Sequence, residues 1–303
     1  MIEIKSITKK YGNFTALENV NLNVEDSSVL GVVGFNGSGK TTLLNICAGI
    51  YKPDEGTVLL DGNNAFDNNK ERCVMFYLSD NLWFPTSTTI KGAARYYASY
   101  YPCFDFKVFS SICDIFGLKE LSSIRSLSKG MRKQAELAIA FATKPKFLLV
   151  DETFDGLDPH KKEILKKLLL EYIGETNASV IIASHNLTEL AGVCDHIAII
   201  NQKNVVMNCA IDDISEHFRY ATLTFEKPVS EDIFDDINYR KLKVSGNKAS
   251  VTVCGNIDEE IKKLKAKGAL DMECTRLTLE EVFREETDSE RDSEKIKNVF
   301  RQR

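Results

Sequence analysis

Val29-Leu-Gly-Val-Val33 runs directly into Gly34-Phe35-Asn36-Gly37-Ser38-Gly39-Lys40-Thr41-Thr42, and then into Leu43-Leu-Asn-Ile-Cys-Ala-Gly49. The first segment is apolar throughout, as expected of a strand whose two faces are both covered inside a parallel sheet. The last carries apolar residues at helical spacing. Between them, Gly34-x-x-x-x-Gly39-Lys40-Thr41 fits a loop whose backbone N–H groups surround phosphate oxygens. In such a loop a lysine reaches the β- and γ-phosphates, and a hydroxyl faces Mg²⁺. Glycine is needed where the chain turns tightly and where a side chain would block the anion. A helix that starts immediately afterwards adds the positive end of its dipole. Gly34, Asn36, Gly37, Ser38, Gly39, Lys40 and Thr41 are therefore the expected cradle of a nucleoside triphosphate.

Short strand patterns precede and follow this unit, at residues 2–5, 17–24 and 57–61. Residues 81–142 switch to long helical periodicities with aromatics concentrated early in the stretch, among them Trp83, Phe84, Tyr96, Tyr97, Tyr100 and Tyr101. Apolar strands return at Phe147-Leu-Leu-Val150 and Val180-Ile-Ile-Ala183, so a helical segment interrupts an α/β domain. The helix expected from Pro159 carries Lys161, Lys162, Lys166 and Lys167, which reads as a solvated outer face. Past residue 214 a hairpin around Gly246-Asn247 and helices from Ile257 and Leu279 describe a small α+β appendage. Asn256 with Glu259, and Thr278 with Glu281, have capping-box spacing. The final twenty residues are densely charged and are expected to fray into a tail. The expected division is 1–214 for the α/β domain and 215–303 for the appendage.

The chain has 303 residues and a formal net charge of −5, which argues against nucleic-acid binding through a global positive field. No apolar run approaches the length needed to span a bilayer, and the N-terminus lacks the apolar centre of a secretion signal, so a cytoplasmic protein is expected. The eight cysteines form no C-x-x-C pair, so reduced thiols are expected in place of a disulfide framework or zinc site.

A second constellation supports the first. Phe147-Leu-Leu-Val150 delivers Asp151 and Glu152 to the carboxyl end of a buried strand, where open α/β sheets bind ligands. Asp151 is placed to hold Mg²⁺, and Glu152 to polarise a water that attacks the γ-phosphate.

Together with Leu127-Ser128-Lys129-Gly130-Met131, these residues resemble the ATP-binding cassette family, the ATPase subunits of ABC transporters. The resemblance covers residues 1 to about 210 and implies a P-loop NTPase with an N-terminal antiparallel β subdomain and an inserted helical subdomain at about 81–142. It implies that Ser128 and Gly130 open a helix facing the nucleotide of a partner cassette, in a head-to-tail sandwich. It further implies that Tyr11 stacks on adenine, Thr42 reaches the α-phosphate, Asp158 crosses the dimer interface, and His185 holds the attacking water. Asp80 stands where the family places a Q-loop glutamine or glutamate, giving an implied metal set of Thr41, Asp80 and Asp151. Lys129, Met131 and Phe35 depart from the common pattern, the first two as in subunits of drug and antibiotic exporters. Arg276-Leu-Thr-Leu-Glu-Glu-Val-Phe283 resembles a stretch that closes bacterial exporter ATPases. The family reading implies ATP and Mg²⁺ as cofactors, a second ATPase subunit, and separate transmembrane permease subunits that hold the chain at the inner face of the membrane. The expected function is ATP hydrolysis driving export. A non-transport ABC ATPase or a nucleotide sensor with weak turnover stands as the alternative.

Overall fold

The computed structural model describes residues 1–66, 68–79, 83–85 and 88–287. Asp80 and the charged stretch 288–303 lie outside these residues. The chain divides into two units, Met1–Asn208 and Cys209–Arg303.

The first unit holds two sheets. One is antiparallel, built from β1 (Ile2–Tyr11), β2 (Phe14–Val24), β4 (Glu55–Leu60) and β5 (Asn63–Asn64) in the order β2-β1-β4-β5. The other contains β3 (Val29–Val33), β6 (Met75–Leu78), β7 (Phe147–Asp151), β8 (Ser179–Ser184), β9 (His196–Asn201) and β10 (Asn204–Ala210), in the order β10-β9-β3-β8-β7-β6. Strands β9, β3, β8, β7 and β6 pair in parallel. Every residue of β3, β7 and β8 is buried, which is why these strands read as apolar runs and not as alternations. Helix α1 (Lys40–Cys47) contacts β2 of the first sheet and β7 and β8 of the second, and a single apolar core joins all three.

The described part of the helical segment, with α2 (Asn69–Cys73) before it, comprises α3 (Ile90–Ala98), α4 (Phe106–Phe116) and α5 (Lys129–Ala142). Each of these three is capped by the side chain before it. Thr89 accepts from Gly92 N at 3.1 Å, Asp105 from Lys107 N at 2.8 Å, and Ser128 from Met131 N at 3.2 Å. Helix α4 buries Phe109, Ile112, Cys113 and Phe116, the i, i+3, i+4, i+7 stripe of an amphipathic helix. The early aromatics split. Phe84 is buried, and Tyr97 and Tyr101 pack on Phe76, whereas Trp83 and Tyr100 are exposed.

Helix α6 (Pro159–Thr176) corrects one expectation. Lys167 is exposed as expected, but Lys161, Lys162 and Lys166 are not simply solvated. Lys161 Nζ donates to the Phe116 carbonyl at 3.3 Å, Lys162 pairs with Glu189 at 2.7 Å, and Lys166 reaches the Thr188 carbonyl at 3.3 Å. Long lysine stems let these ammonium groups satisfy carbonyls and a buried carboxylate on neighbouring elements, including α7 (Leu187–Leu190).

The second unit contains α8 (Ile211–His217), β11 (Phe218–Thr224), β12 (Tyr239–Ser245), β13 (Lys248–Cys254), α9 (Ile257–Ala266), β14 (Asp271–Arg276) and α10 (Leu279–Thr287). Its sheet is antiparallel, in the order β12-β13-β11-β14, with the expected turn at Gly246-Asn247 between Ser245 and Lys248. Ala221, Leu223, Val251, Val253, Leu264 and Phe234 form its core. The box at Thr278 closes in both directions, with Thr278 N donating to Glu281 at 2.8 Å and Glu281 N to Thr278 Oγ1 at 3.3 Å. The box expected at Asn256 does not form: the Asn256 side chain makes no cap hydrogen bond, and Glu259 pairs instead with Lys263. A lysine four residues on competes successfully for that carboxylate.

Candidate nucleotide-binding site

Sheet register assembles the site. Val33 lies opposite Ser184, and Asp151 opposite Ala183, so the residues that follow these three parallel strands emerge side by side: Gly34, His185 and Glu152. Glu152 and His185, but not Gly34 or Ser38, line a cleft of ≈ 1500 Å³ that extends from Tyr11 past the loop to His185. This exceeds the usual volume of a small-molecule pocket, so a nucleotide would occupy only part of it.

Two glycines of the loop leave no room for a side chain. A Cβ on Gly34 would stand 2.4 Å from Ser38 Oγ and 2.5 Å from the Ile200 carbonyl. One on Gly39, where φ is +110°, would meet Leu17 Cδ2 at 2.6 Å and the Ala16 carbonyl at 2.9 Å. Gly39 also occupies the N-cap position of α1 with no side-chain cap, which leaves the first N–H groups of the helix available to an anion.

Lys40 is buried, and its Nζ donates to the Gly34 carbonyl at 2.8 Å. The same ammonium lies 3.3 Å from Glu152 Oε1, while His185 Nδ1 and Glu152 Oε2 are 2.8 Å apart. Glu152 is thus gripped from both sides. With the carboxylate ionised and the imidazole neutral, Nδ1–H donates and Nε2 is left as the ring's acceptor. The backbone of Glu152 has φ +47°, a left-handed conformation that a non-glycine residue rarely adopts, and its N–H is tied to the Ala183 carbonyl at 3.0 Å. Glu152, Asp155 and His185 each offer a ligand atom within 4.8 Å of the others.

Asp151 is buried beside Thr41. Burial raises its pKa, against the opposing pull of the Thr41 and Tyr77 hydroxyls. Oδ2 accepts from Tyr77 at 3.1 Å, whereas Oδ1 is buried with no hydrogen-bond partner of ordinary length among the described residues. A carboxylate oxygen left this way, next to a threonine hydroxyl, is a hard oxygen pair suited to Mg²⁺. The raised pKa also has a stability consequence. Folded Asp151 holds its proton more tightly than unfolded Asp151, so its contribution to stability is present at acid pH and is lost as pH rises through the raised value. Asp151→Asn is therefore expected to raise the Tm of the protein at neutral pH, as checked by thermal melts.

Tyr11, Asn36, Gly37, Gly39, Lys40, Thr41, Thr42, Asp151, Glu152 and His185 thus line one cleft. Tyr11 is partly exposed, its ring edge-on to Tyr51. Ser128 and Gly130 do not line it. Ser128 caps α5, and Gly130 lies so close to the Gly156 carbonyl that a Cβ would stand 2.9 Å from it. Asp158 caps α6, accepting from Lys161 N at 2.9 Å, and is likewise away from the cleft. Asp80 lies outside the described residues. Sequence reasoning missed Tyr77, Asp155 and Lys129, which line the cleft too. For Tyr77 a faint signal existed: a hydroxyl-bearing residue within an otherwise apolar strand.

The chain is similar to known proteins over the part that carries this cleft. Residues 17–155 match the family model described as ABC transporter. The ABC transporter ATP-binding protein YtrB of Bacillus subtilis (strain 168) is 28% identical over 230 residues, covering 76% of this chain and 79% of that protein. The methionine import ATP-binding protein MetN of Staphylococcus haemolyticus is 28% identical over 251 residues, 78% of this chain and 74% of its own. Among solved structures, the dimeric bacterial ABC transporter cassette MJ0796 is 26% identical, with a TM-score of 0.63 over 69% of this chain and 98% of that one.

Proposed function

Because the chain belongs, through its ATP-binding domain, to the ABC transporter family of ATPases, we propose that it hydrolyses ATP to drive a separate membrane permease. The observation that carries the reading is the chain of contacts Lys40–Glu152–His185 at the mouth of the glycine loop. It combines a phosphate-directed cation, a carboxylate and an imidazole, the groups needed to hold a terminal phosphate and orient a water toward it.

In this reading the loop N–H groups from Asn36 to Thr42 bind the phosphates, and Tyr11 takes the adenine face. Lys40 exchanges its Gly34 contact for β- and γ-phosphate oxygens. Thr41 and Asp151 would hold Mg²⁺, which would supply charge neutralisation for the bound phosphates. Glu152 accepts a proton from the attacking water, and His185 accepts from that same water through Nε2 and holds it in line. Ser128, Gly130 and Asp158, which lie off the chain's own cleft, act on the nucleotide of a second cassette. A dimer of this kind is supported by the dimeric cassette that the fold resembles. In this reading the permease is a separate chain and the ATPase is peripheral to the membrane through it; none of the described helices is long and apolar enough to cross a membrane. The export direction suggested by residues 276–283 finds no support among the relatives, of which MetN is named for import.

Purified protein with Mg²⁺ and ATP, and no acceptor, is expected to release free phosphate continuously. Phosphoryl transfer that depends on an added acceptor would instead mark a kinase.

A further inference from the structure

Helix α5 buries charge that the chemistry of the cleft leaves unused. Lys133 is 4% exposed and Glu136 2% exposed. Lys133 Nζ donates to the Ser79 carbonyl at 3.2 Å, immediately past the end of β6, and lies 3.6 Å from Glu136 Oε2. Arg132 Nε is 3.6 Å from Glu136 Oε1, and its guanidinium sits 5.0 Å over the ring of Phe84. The start of α5 is thereby fastened at two points to the segment that leaves β6. Strand β6 in turn carries Tyr77, whose hydroxyl is held by Asp151. A continuous path therefore runs from Asp151 through Tyr77 and Ser79 to Lys133, and along one helix turn to its Ser128 cap.

Such a cluster is a poor way to gain stability. Taking two ions out of water is costly, and replacing a buried pair with apolar side chains of similar size is often neutral or stabilising. Its value must then lie in position. A lysine that donates to one backbone carbonyl fixes distance and direction in a way that an apolar contact does not.

We propose that Lys133 and Glu136 are positioning residues: they fix the Ser128 end of α5 relative to the Asp151 edge of the nucleotide cleft, so that nucleotide bound there sets where the helix start is presented. This rests on the ATPase and sandwich reading above. The test is the double variant Lys133→Met with Glu136→Leu, which removes the two deeply buried charges together; Arg132, 43% exposed, keeps its guanidinium over the Phe84 ring. Its Tm is expected to equal or exceed that of the parent, and its equilibrium affinity for ATP to stay within about twofold. Its kcat is expected to fall about tenfold or more at unchanged KM, in keeping with loss of one charge-assisted hydrogen bond. In a Glu152→Gln background the same pair of changes should abolish ATP-driven dimerisation, while Lys133→Arg, which keeps the donor and the charge, should retain it. Unchanged kcat and dimerisation would overturn the proposal. So would a fall in Tm and ATP affinity in step with kcat, which is the signature of ordinary packing. If the parent protein neither hydrolyses ATP nor dimerises as Glu152→Gln, the ATPase reading itself fails, and this inference with it.

Discussion

Glu152→Gln is expected to leave ATP binding intact and to lower phosphate release by about 10²-fold or more, the range for removal of a general base. The amide is nearly isosteric with the carboxylate. Its carbonyl oxygen can still accept from Lys40, 3.3 Å from Oε1, while its NH2 on the Oε2 side donates to His185 Nδ1, 2.8 Å away, once the ring proton moves to Nε2, so the site keeps its shape. What is lost is the capacity to take a proton from water, together with the negative charge that the γ-phosphate would oppose. Removing that repulsion favours the bound triphosphate, and a sandwich that closes on ATP can no longer reopen by hydrolysis. The variant is therefore expected to accumulate as an ATP-dependent dimer in size-exclusion chromatography, with ADP leaving it monomeric. A variant that stays monomeric at saturating ATP would remove the sandwich mechanism for this chain while leaving phosphate binding untouched.

Gly34→Ala is expected to abolish ATP binding, by a different route. The added methyl would stand 2.5 Å from the Ile200 carbonyl, which belongs to β9 and cannot rotate away. The other close atom, Ser38 Oγ at 2.4 Å, is part of the loop itself. Relief requires the loop to lift from the sheet, and the Gly34 carbonyl that receives the Lys40 ammonium moves with it. Overpacking of this kind costs about 1–3 kcal/mol of stability. Displacing several N–H donors and the lysine together should reduce ATP affinity by at least about 10²-fold, since each charge-assisted contact is worth about 1.5–3 kcal/mol. Gly37→Ala serves as the control. No heavy atom lies within 4 Å of its Cβ position, so only the strain of φ +81° applies, and its loss should be clearly smaller by calorimetry and thermal melts. Equal losses in the two variants would show that loop strain, and not the Ile200 wall, governs the cradle.

Much of the site was legible because its requirements are local. The loop declares itself through glycine spacing, and its helix through apolar period. Asp151 and Glu152 were legible because an apolar strand ending in two carboxylates has few other uses. Tyr77 was not, since its role depends on β6 lying beside β7, with Tyr77 opposite Leu149. Lys161, Lys162 and Lys166 of α6 were misjudged for the same reason. A helical wheel shows which side faces outward, but not that Glu189 and the Thr188 carbonyl wait there. Asn256 and Thr278 carry the same spacing signal, and only one forms its box, because Lys263 draws Glu259 away.

What the sequence determined by itself was therefore the local unit: strand, phosphate loop and helix, together with the second strand that brings its pair of acids. Backbone sterics and side-chain period act over a few residues, and these are printed in the order of the chain. What only the tertiary structure decided was that Lys40, Glu152 and His185 meet. They belong to three separate strand-to-helix junctions, and it is the parallel pairing of β3, β8 and β7, with Val33 opposite Ser184 and Asp151 opposite Ala183, that aligns those junctions at one edge. Strand order is set by which buried faces pack together, a long-range choice that no local pattern records.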